Sequence, residues 1–398
     1  MAAVPIVVPS IAKEPRIVIE WSADQRRLRS LAQDLGAAAT GYHEERDPEP
    51  GFATEAWKLI QETGLLGLPF DERWGGLGQD LLTTMYVLEG LGHACRDTGF
   101  STSVVTHLVG TGVPVQRFGS AQLKDRYLGR VSDGSIIGTQ AVTEPSGDTD
   151  VDVMEMPVVA VRDGGDHVIS GGPAFVTNGP VADVVVAYAL TGRRGSPSAL
   201  TAFLVDRGTP GLNVGRPVAG MGLRSSPLCE VTFDGCRVPD ARVLGSPGAG
   251  LLVMDHVLKW EVLCSAVIDV GEMQHRFERS MEYARTRAPF GQRIGAFPSV
   301  ANKLAEMHIA VESSRKWLYD TAVRLTKGEN VTVDVAACKL VADENNVVSA
   351  LSAVQLFGGY GNTAEYGLEN DLRNAVAGKI HSGASDVQRR RIVRMLGL

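Results

Sequence analysis

The sequence predicts an α+β protein in three consecutive parts. These are an N-terminal all-α domain, a middle antiparallel β-sandwich or barrel, and a C-terminal four-helix bundle. Three observations carry the prediction. Up to about residue 131, apolar residues recur at three- and four-residue spacing. From 135 to about 244 the texture changes to short β-branched runs (VVAV, HVIS, VVVAYA, AFLVD, VTFD) separated by Gly, Pro, Asp and Asn. Beyond Gly248-Ala249-Gly250 long apolar stripes return on a polar background, as a helical bundle requires. The expected boundaries are 1–133, 134–245 and 246–398. A chain of 398 residues is expected to build more than one core.

Residues 1–20 hold three prolines and read as an extended arm. Leu28, Leu31, Ala32 and Leu35 then mark a helix, which Pro48 and Pro50 interrupt. A helix resumes over 52–62 and stops at Gly64. A glycine-rich turn leads to a helix over 81–92, with Met85, Val87, Leu88 and Leu91 on its core side. Further helices are expected over 101–113 and 121–128. In the C-terminal part they are expected over 251–287, 299–326 and 333–356, with a last one over 385–395. Each stripe reads first as core packing.

Composition removes several function classes. Hydrophobic residues at 44% and charged residues at 21% suit a soluble globular protein. A net charge of −7 argues against nucleic-acid or anionic-membrane partners, which need a basic face. The five cysteines (Cys95, Cys229, Cys236, Cys264, Cys338) are odd in number and lack metal-ligand spacing. Neither a disulfide framework nor a metal site is therefore expected. The first twenty residues have neither a basic segment before an export-length apolar run nor a transit-peptide composition. No run approaches 18 apolar residues, so no membrane span is expected and a cytoplasmic location is.

The most informative stretch is Gly138 to Gly179. Gln140 to Val142 and Ala174 to Thr177 read as short strands ending in small or hydroxyl residues. Such ends leave backbone N–H groups free and let a planar or anionic ligand approach. Taken alone, they are equally strand-to-turn junctions of a small β-domain. Their order adds a resemblance. Thr143-Glu144-Pro145, followed some thirty positions on by Phe175-Val176-Thr177-Asn178-Gly179, resembles the flavin-binding domain of acyl-CoA dehydrogenases. Phe175 stands where that family usually has Trp, Pro173 where it has Lys, and the loop after Pro145 is about one residue short. Met221 to Ser226 and Cys236-Arg237-Val238-Pro239 resemble the segments that close the same domain. The resemblance covers the whole chain in family order.

What the resemblance implies is specific. Thr143 and Thr177 would hydrogen-bond the isoalloxazine of FAD, and Phe175 would pack on its face. Gln140 and Val142 lie on the first strand beside it. Arg287-Ala288-Pro289-Phe290-Gly291 matches the family's R-x-x-F-G, in which Arg287 and Phe290 reach across a subunit interface to the ADP half. An Arg beside an aromatic and a Gly suits phosphate, although in isolation it is also a surface Arg at a helix stop. Gln355-Leu356-Phe357-Gly358-Gly359-Tyr360-Gly361 matches Q-x-x-G-G-x-G, whose Gln355, Gly358 and Gly359 would meet the FAD of a neighbouring subunit. A shared site implies a homo-oligomer, a dimer or tetramer.

The usual catalytic Glu lies in an E-G-T-S segment before the last helix. Here the segment is His381-Ser382-Gly383-Ala384-Ser385-Asp386. Ser382 occupies the base position, and Ser382, Ala384 and Asp386 fall among the flavin-contacting positions. A minority of the family carries the base ten residues before the Gly of a G-x-M-Q segment. In this chain that is Gly271-Glu272-Met273-Gln274, which points to Glu261 as the general base. Asp386 and His381 are the fallbacks, and a solvated or ion-paired Glu261 is the plain reading.

Val262 follows Glu261 where the CoA enzymes have Arg. The pattern is similar to a branch working on acyl or aminoacyl groups tethered to carrier proteins in secondary metabolism. The implied reaction is FAD-dependent α,β-dehydrogenation of an acyl thioester, on CoA or a carrier protein. Electrons would pass to an electron-transfer flavoprotein or to oxygen. The Ser382 backbone N–H would help to hold the thioester oxygen. On this expectation the Ser382 hydroxyl matters little. A flavin monooxygenase on the same fold and a non-catalytic thioester- or flavin-binding scaffold are the alternatives.

Overall fold

The structure, a computed structural model, describes residues 19–44, 51–142, 158–193, 195–196, 198–289 and 291–397. Its first part is helical: α1 (Ala23–Glu44), α2 (Thr54–Thr63), α3 (Leu81–Ala94), α4 (Thr98–His107), α5 (Val113–Phe118) and α6 (Ala121–Ser132). The starts are set by local chemistry. Asp80, Asp97 and Ser120 each accept a backbone N–H of the first turn of α3, α4 and α6. Gly64, at φ 72°, ends α2 in the left-handed conformation that glycine adopts most readily. The expected helix over 101–113 is instead two helices joined by a π-turn at Leu108–Gly112. That turn lies against the first strand, where Thr111 donates to the Thr139 carbonyl at 3.0 Å.

The strands are β1 (Gly138–Ala141), β2 (Val159–Asp163), β3 (Asp166–Thr177), β4 (Val184–Leu190), β5 (Leu200–Asp206), β6 (Leu212–Val214), β7 (Leu228–Pro239) and β8 (Val243–Leu244). They form one sheet in the order β6-β7-β3-β2-β4-β5-β8, with β1 also on β4. Most pairings are antiparallel, as expected, but the sheet is mixed. The β2–β3 hairpin is antiparallel, but β1 runs parallel to β4, Gly138 beside Val184, and β2 meets β4 in parallel at Val159 and Leu190. The sheet is buried on two sides. Val184, Val186 and Tyr188 of β4 join the core shared with the helices, while Val185, Ala187 and Ala189 join a second core with β3 and β7. This follows from the two-residue period of a strand.

The C-terminal part holds α7 (Gly250–Thr286), α8 (Pro298–Thr326), α9 (Thr332–Phe357), α10 (Leu368–Gly378) and α11 (Ser385–Met395). Among the described residues this is one helix more than expected, α10 being the addition. At 37 residues α7 is about 55 Å long and packs on both helical parts. Its closest approach to α3 is through glycine: a Cβ on Gly271 would sit 2.3 Å from the Glu89 carbonyl oxygen, and one on Gly92 would sit 2.4 Å from that of Ile268. Backbone contact there fixes the axis of α7, and with it the position of Glu261. No helix among the described residues is long and apolar enough to cross a membrane.

Candidate active site

A cleft of about 1820 Å³ is walled by α4, β1, β3, α7, the turn after α10, and α11. Periodicity decides which side chains enter it. On α7, Leu251, Met254, Leu258, Glu261 and Ser265 line the wall at three- and four-residue spacing, while Val257, Cys264 and Ile268 face the core. On β1 Gln140 enters the cleft and Ala141 points into the β-core, and Val142, just past the strand, lines the cleft again. On β3, Phe175 and Thr177 enter it, while Ala174 and Val176 are buried on the other face.

The half-buried Glu261 carboxylate is held from two sides. Gln140 Nε2 donates to Oε2 at 2.7 Å, and Ser382 Oγ donates to Oε1 at 2.7 Å. His381 Nδ1 lies 3.0 Å from the same Ser382 oxygen. A carboxylate only accepts, so the serine proton points to Glu261 and the imidazole carries its proton on Nδ1. Burial pushes the His381 pKa down to about 3, with the Lys339 cation adding to the effect, so the ring is neutral. Burial raises the pKa of Glu261, opposed by the hydrogen bonds from Ser382 and Gln140 and by the charge of Lys339. Lys339 is itself buried on α9 and paired with Asp343 at 2.5 Å.

The turn that presents Ser382 is over-determined. Ser382 has φ 55° and Gly383 φ 94°. Gln388 of α11 donates to the Gly383 carbonyl at 3.1 Å, and Ser385 N donates to Lys379 O at 3.1 Å. Strain at a non-glycine residue, held by its surroundings, marks a position under constraint.

The cleft wall also fits a flavin. Phe175 is 61% exposed, a bare aromatic face on the wall. Gln140 Oε1 is buried with no hydrogen-bond partner among the described residues. A planar ring with polar edges would cover the first and satisfy the second. Arg287, Gly358 and Gly359 come together in a second hollow of about 540 Å³ with Tyr283 and Tyr360. The Arg287 guanidinium lies 5.5 Å from the Tyr360 ring centre. Gln355 is exposed on the last turn of α9.

Among the described residues, Asp386 and Ala384 do not enter the cleft. Asp386 is exposed and paired with Arg389 at 2.9 Å, so it faces away from a substrate. Ala384 precedes α11 as its N-cap and does not line the cleft. Val262 is buried against Val331 and Val335, so its replacement of Arg does not reshape the wall. Thr143 and Phe290 lie outside the described residues. Sequence reasoning missed Thr102 and Thr106 on α4, and Arg390, Arg394 and Met395 on α11, all of which line the cleft.

Fold and cleft together define an FAD-dependent oxidoreductase acting on acyl thioesters, and the chain belongs to the acyl-CoA dehydrogenase family. Family models for the N-terminal, middle and C-terminal domains of acyl-CoA dehydrogenases match residues 22–135, 139–236 and 248–397. Within the family, the chain is 36% identical over 346 residues to an L-prolyl-[peptidyl-carrier protein] dehydrogenase of a Serratia species, covering 87% of this chain and 89% of that one. It is 32% identical over 345 residues to a short-chain-specific acyl-CoA dehydrogenase of Clostridium acetobutylicum, covering 87% and 90%. A solved structure described as PigA with FAD and proline matches with a TM-score of 0.89 at 32% identity, covering 96% of this chain and all of that one. These matches lend no support to the monooxygenase or scaffold readings.

Proposed function

We propose that the protein dehydrogenates a prolyl or related aminoacyl thioester carried on a carrier protein, with Glu261 as the general base. The observation that carries the reading is the Glu261 carboxylate, gripped by Ser382 and Gln140 in the wall of the cleft that Phe175 and Thr177 also line. The names of relatives in Serratia and Pseudomonas fluorescens, both L-prolyl-[peptidyl-carrier protein] dehydrogenases at 36% and 33% identity, support the substrate class.

The thioester carbonyl acidifies the α-C–H. Glu261 takes that proton, each of its oxygens keeping a lone pair beyond the one used by Ser382 or Gln140. Burial brings the basicity of the carboxylate toward the working pH, which suits a base. The Ser382 backbone N–H, at its left-handed turn, is assigned to the carbonyl oxygen, where negative charge develops. Gln140, Val142, Thr143, Phe175 and Thr177 would hold FAD, which when bound would supply the acceptor for the β-hydride. The α-proton and β-hydride together leave an α,β double bond.

Arg287, Gly358, Gly359 and Gln355 are assigned to the FAD of a neighbouring subunit in a homo-oligomer. Val348 and Leu351, at 59% and 56% exposure, continue toward the exposed Gln355 along one face of α9, an apolar stripe suited to a second copy. The test is anaerobic. FAD-loaded protein is mixed with L-prolyl-carrier thioester, its CoA analogue and a panel of acyl thioesters, and flavin absorbance is followed. Bleaching by the carrier-bound prolyl group is expected. A flavin that no thioester on the panel bleaches would exclude the reading.

A further inference from the structure

The last helix runs away from the catalytic turn and ends at the mouth of the cleft. α11 begins three residues after Ser382, and Arg390, Arg394 and Met395 still line the same hollow. At the helical rise, Arg394 lies about 14 Å along the axis from Ser385. The charge of this helix is opposite to that of the chain. The protein has a net charge of −7, whereas α11 has four arginines and one aspartate.

Nearby acids reach only two of its four arginines. Asp386 and Glu344 pair with Arg389 at 2.9 and 3.0 Å, and Glu344 also takes Lys379. Asp255 holds Lys259 at 2.5 Å, with Arg391 at 4.0 Å. Arg390 and Arg394, one turn apart on α11, are exposed and make no ion pair among the described residues. Met395, Val393, Met221 and Ile380 around the cleft are exposed as well.

We propose that this basic and apolar rim is the docking surface for an acidic carrier protein whose pantetheine-type arm enters the cleft along α11. The proposal rests on the thioester reading above. A chain of net charge −7 repels an acidic protein over most of its surface, so productive encounter needs a local reversal of sign. The rim supplies that reversal, with apolar side chains that can be desolvated beside it. The hollow it opens onto is continuous down to Glu261, so a tethered group is delivered to the base from the docking site.

The test is binding, which needs no turnover. A dye-labelled holo peptidyl carrier protein is titrated with the FAD-loaded oligomer and followed by anisotropy, with free coenzyme A as competitor. Binding is expected to weaken as salt rises. In an Arg390→Glu/Arg394→Glu double variant that keeps its FAD and size, Kd should rise about tenfold or more, and Arg390→Lys/Arg394→Lys should keep most of the affinity. Several results would overturn the proposal: no wild-type binding, an unchanged Kd in the charge-reversal variant, loss of FAD or altered size in that variant, or full displacement of the carrier by coenzyme A, which would make the rim a CoA site. Carrier binding without bleaching by any thioester would leave the docking surface standing and remove the dehydrogenase substrate.

Discussion

Removing the Ser382 hydroxyl is predicted to move the pH dependence of flavin reduction rather than abolish it. The base acts only when ionised, so the rate falls as pH drops through the pKa of Glu261, which burial has raised. The Ser382 Oγ–H donates at 2.7 Å to that carboxylate and favours its charged form. A hydrogen bond to a charged group is worth about 1.5–3 kcal/mol, and a neutral carboxylic acid would retain part of it. A remaining difference of about 1.4 kcal/mol corresponds to about one pH unit. Without the hydroxyl, Gln140 Nε2 and the more distant charge of Lys339 still hold the anion. Cys264 and Tyr188, whose burial keeps them protonated, add no charge there.

The acid limb should therefore rise by about one pH unit in Ser382→Ala, with only a few-fold loss on the plateau. Ser382→Gly separates chemistry from strain. It also lacks the hydroxyl, but it relaxes the left-handed backbone at φ 55°. Stopped-flow flavin reduction across pH should show the same displaced limb in both. A limb that moves in neither variant, or only in Ser382→Ala, would refute the reasoning.

Arg287→Ala should weaken FAD binding by about 1.5–3 kcal/mol if it makes a charge-assisted phosphate contact, read by flavin fluorescence on dilution. Unchanged affinity would remove Arg287 from the site. His107→Ala should destabilise the fold by about 2–4 kcal/mol in a denaturant titration. The ring is fully buried, accepting the Gly138 N–H at Nδ1 at 3.0 Å and donating from Nε2 to the Val131 carbonyl at 2.8 Å, and so ties the helical part to β1. A loss under about 0.5 kcal/mol would show that this tie carries little.

Much of this was legible in the sequence, because periodicity and turn chemistry are local. The helix–sheet–helix order and the long helix that carries Glu261 follow from patterns within a few dozen residues, whereas the roles given to Gln140, Val142, Phe175, Thr177 and Glu261 rest on the resemblance to acyl-CoA dehydrogenases. What was not legible depends on pairing at a distance. Gln140 and Ser382 meet Glu261 from 121 residues away on either side, so the expectation that the Ser382 hydroxyl is unimportant had no way to register the bond it makes. Val262 reads in the sequence as a mark of the substrate class because it follows the base where the CoA enzymes have Arg, yet adjacent helix positions point about 100° apart, and it is buried away from the cleft. α10 was overlooked because it is a short helix of 11 residues with few large apolar side chains. The arginines of α11 had no meaning until the structure set them at the mouth of the cleft.

The central claim is that Glu261 removes the α-proton. Glu261→Gln keeps the size and hydrogen-bonding capacity of the side chain and removes its basicity. Loaded with FAD and mixed anaerobically with carrier-bound prolyl thioester, this variant is predicted to retain its flavin and to reduce it about 10²–10⁴-fold more slowly than the wild type. Flavin reduction at the wild-type rate would contradict the assignment of the base.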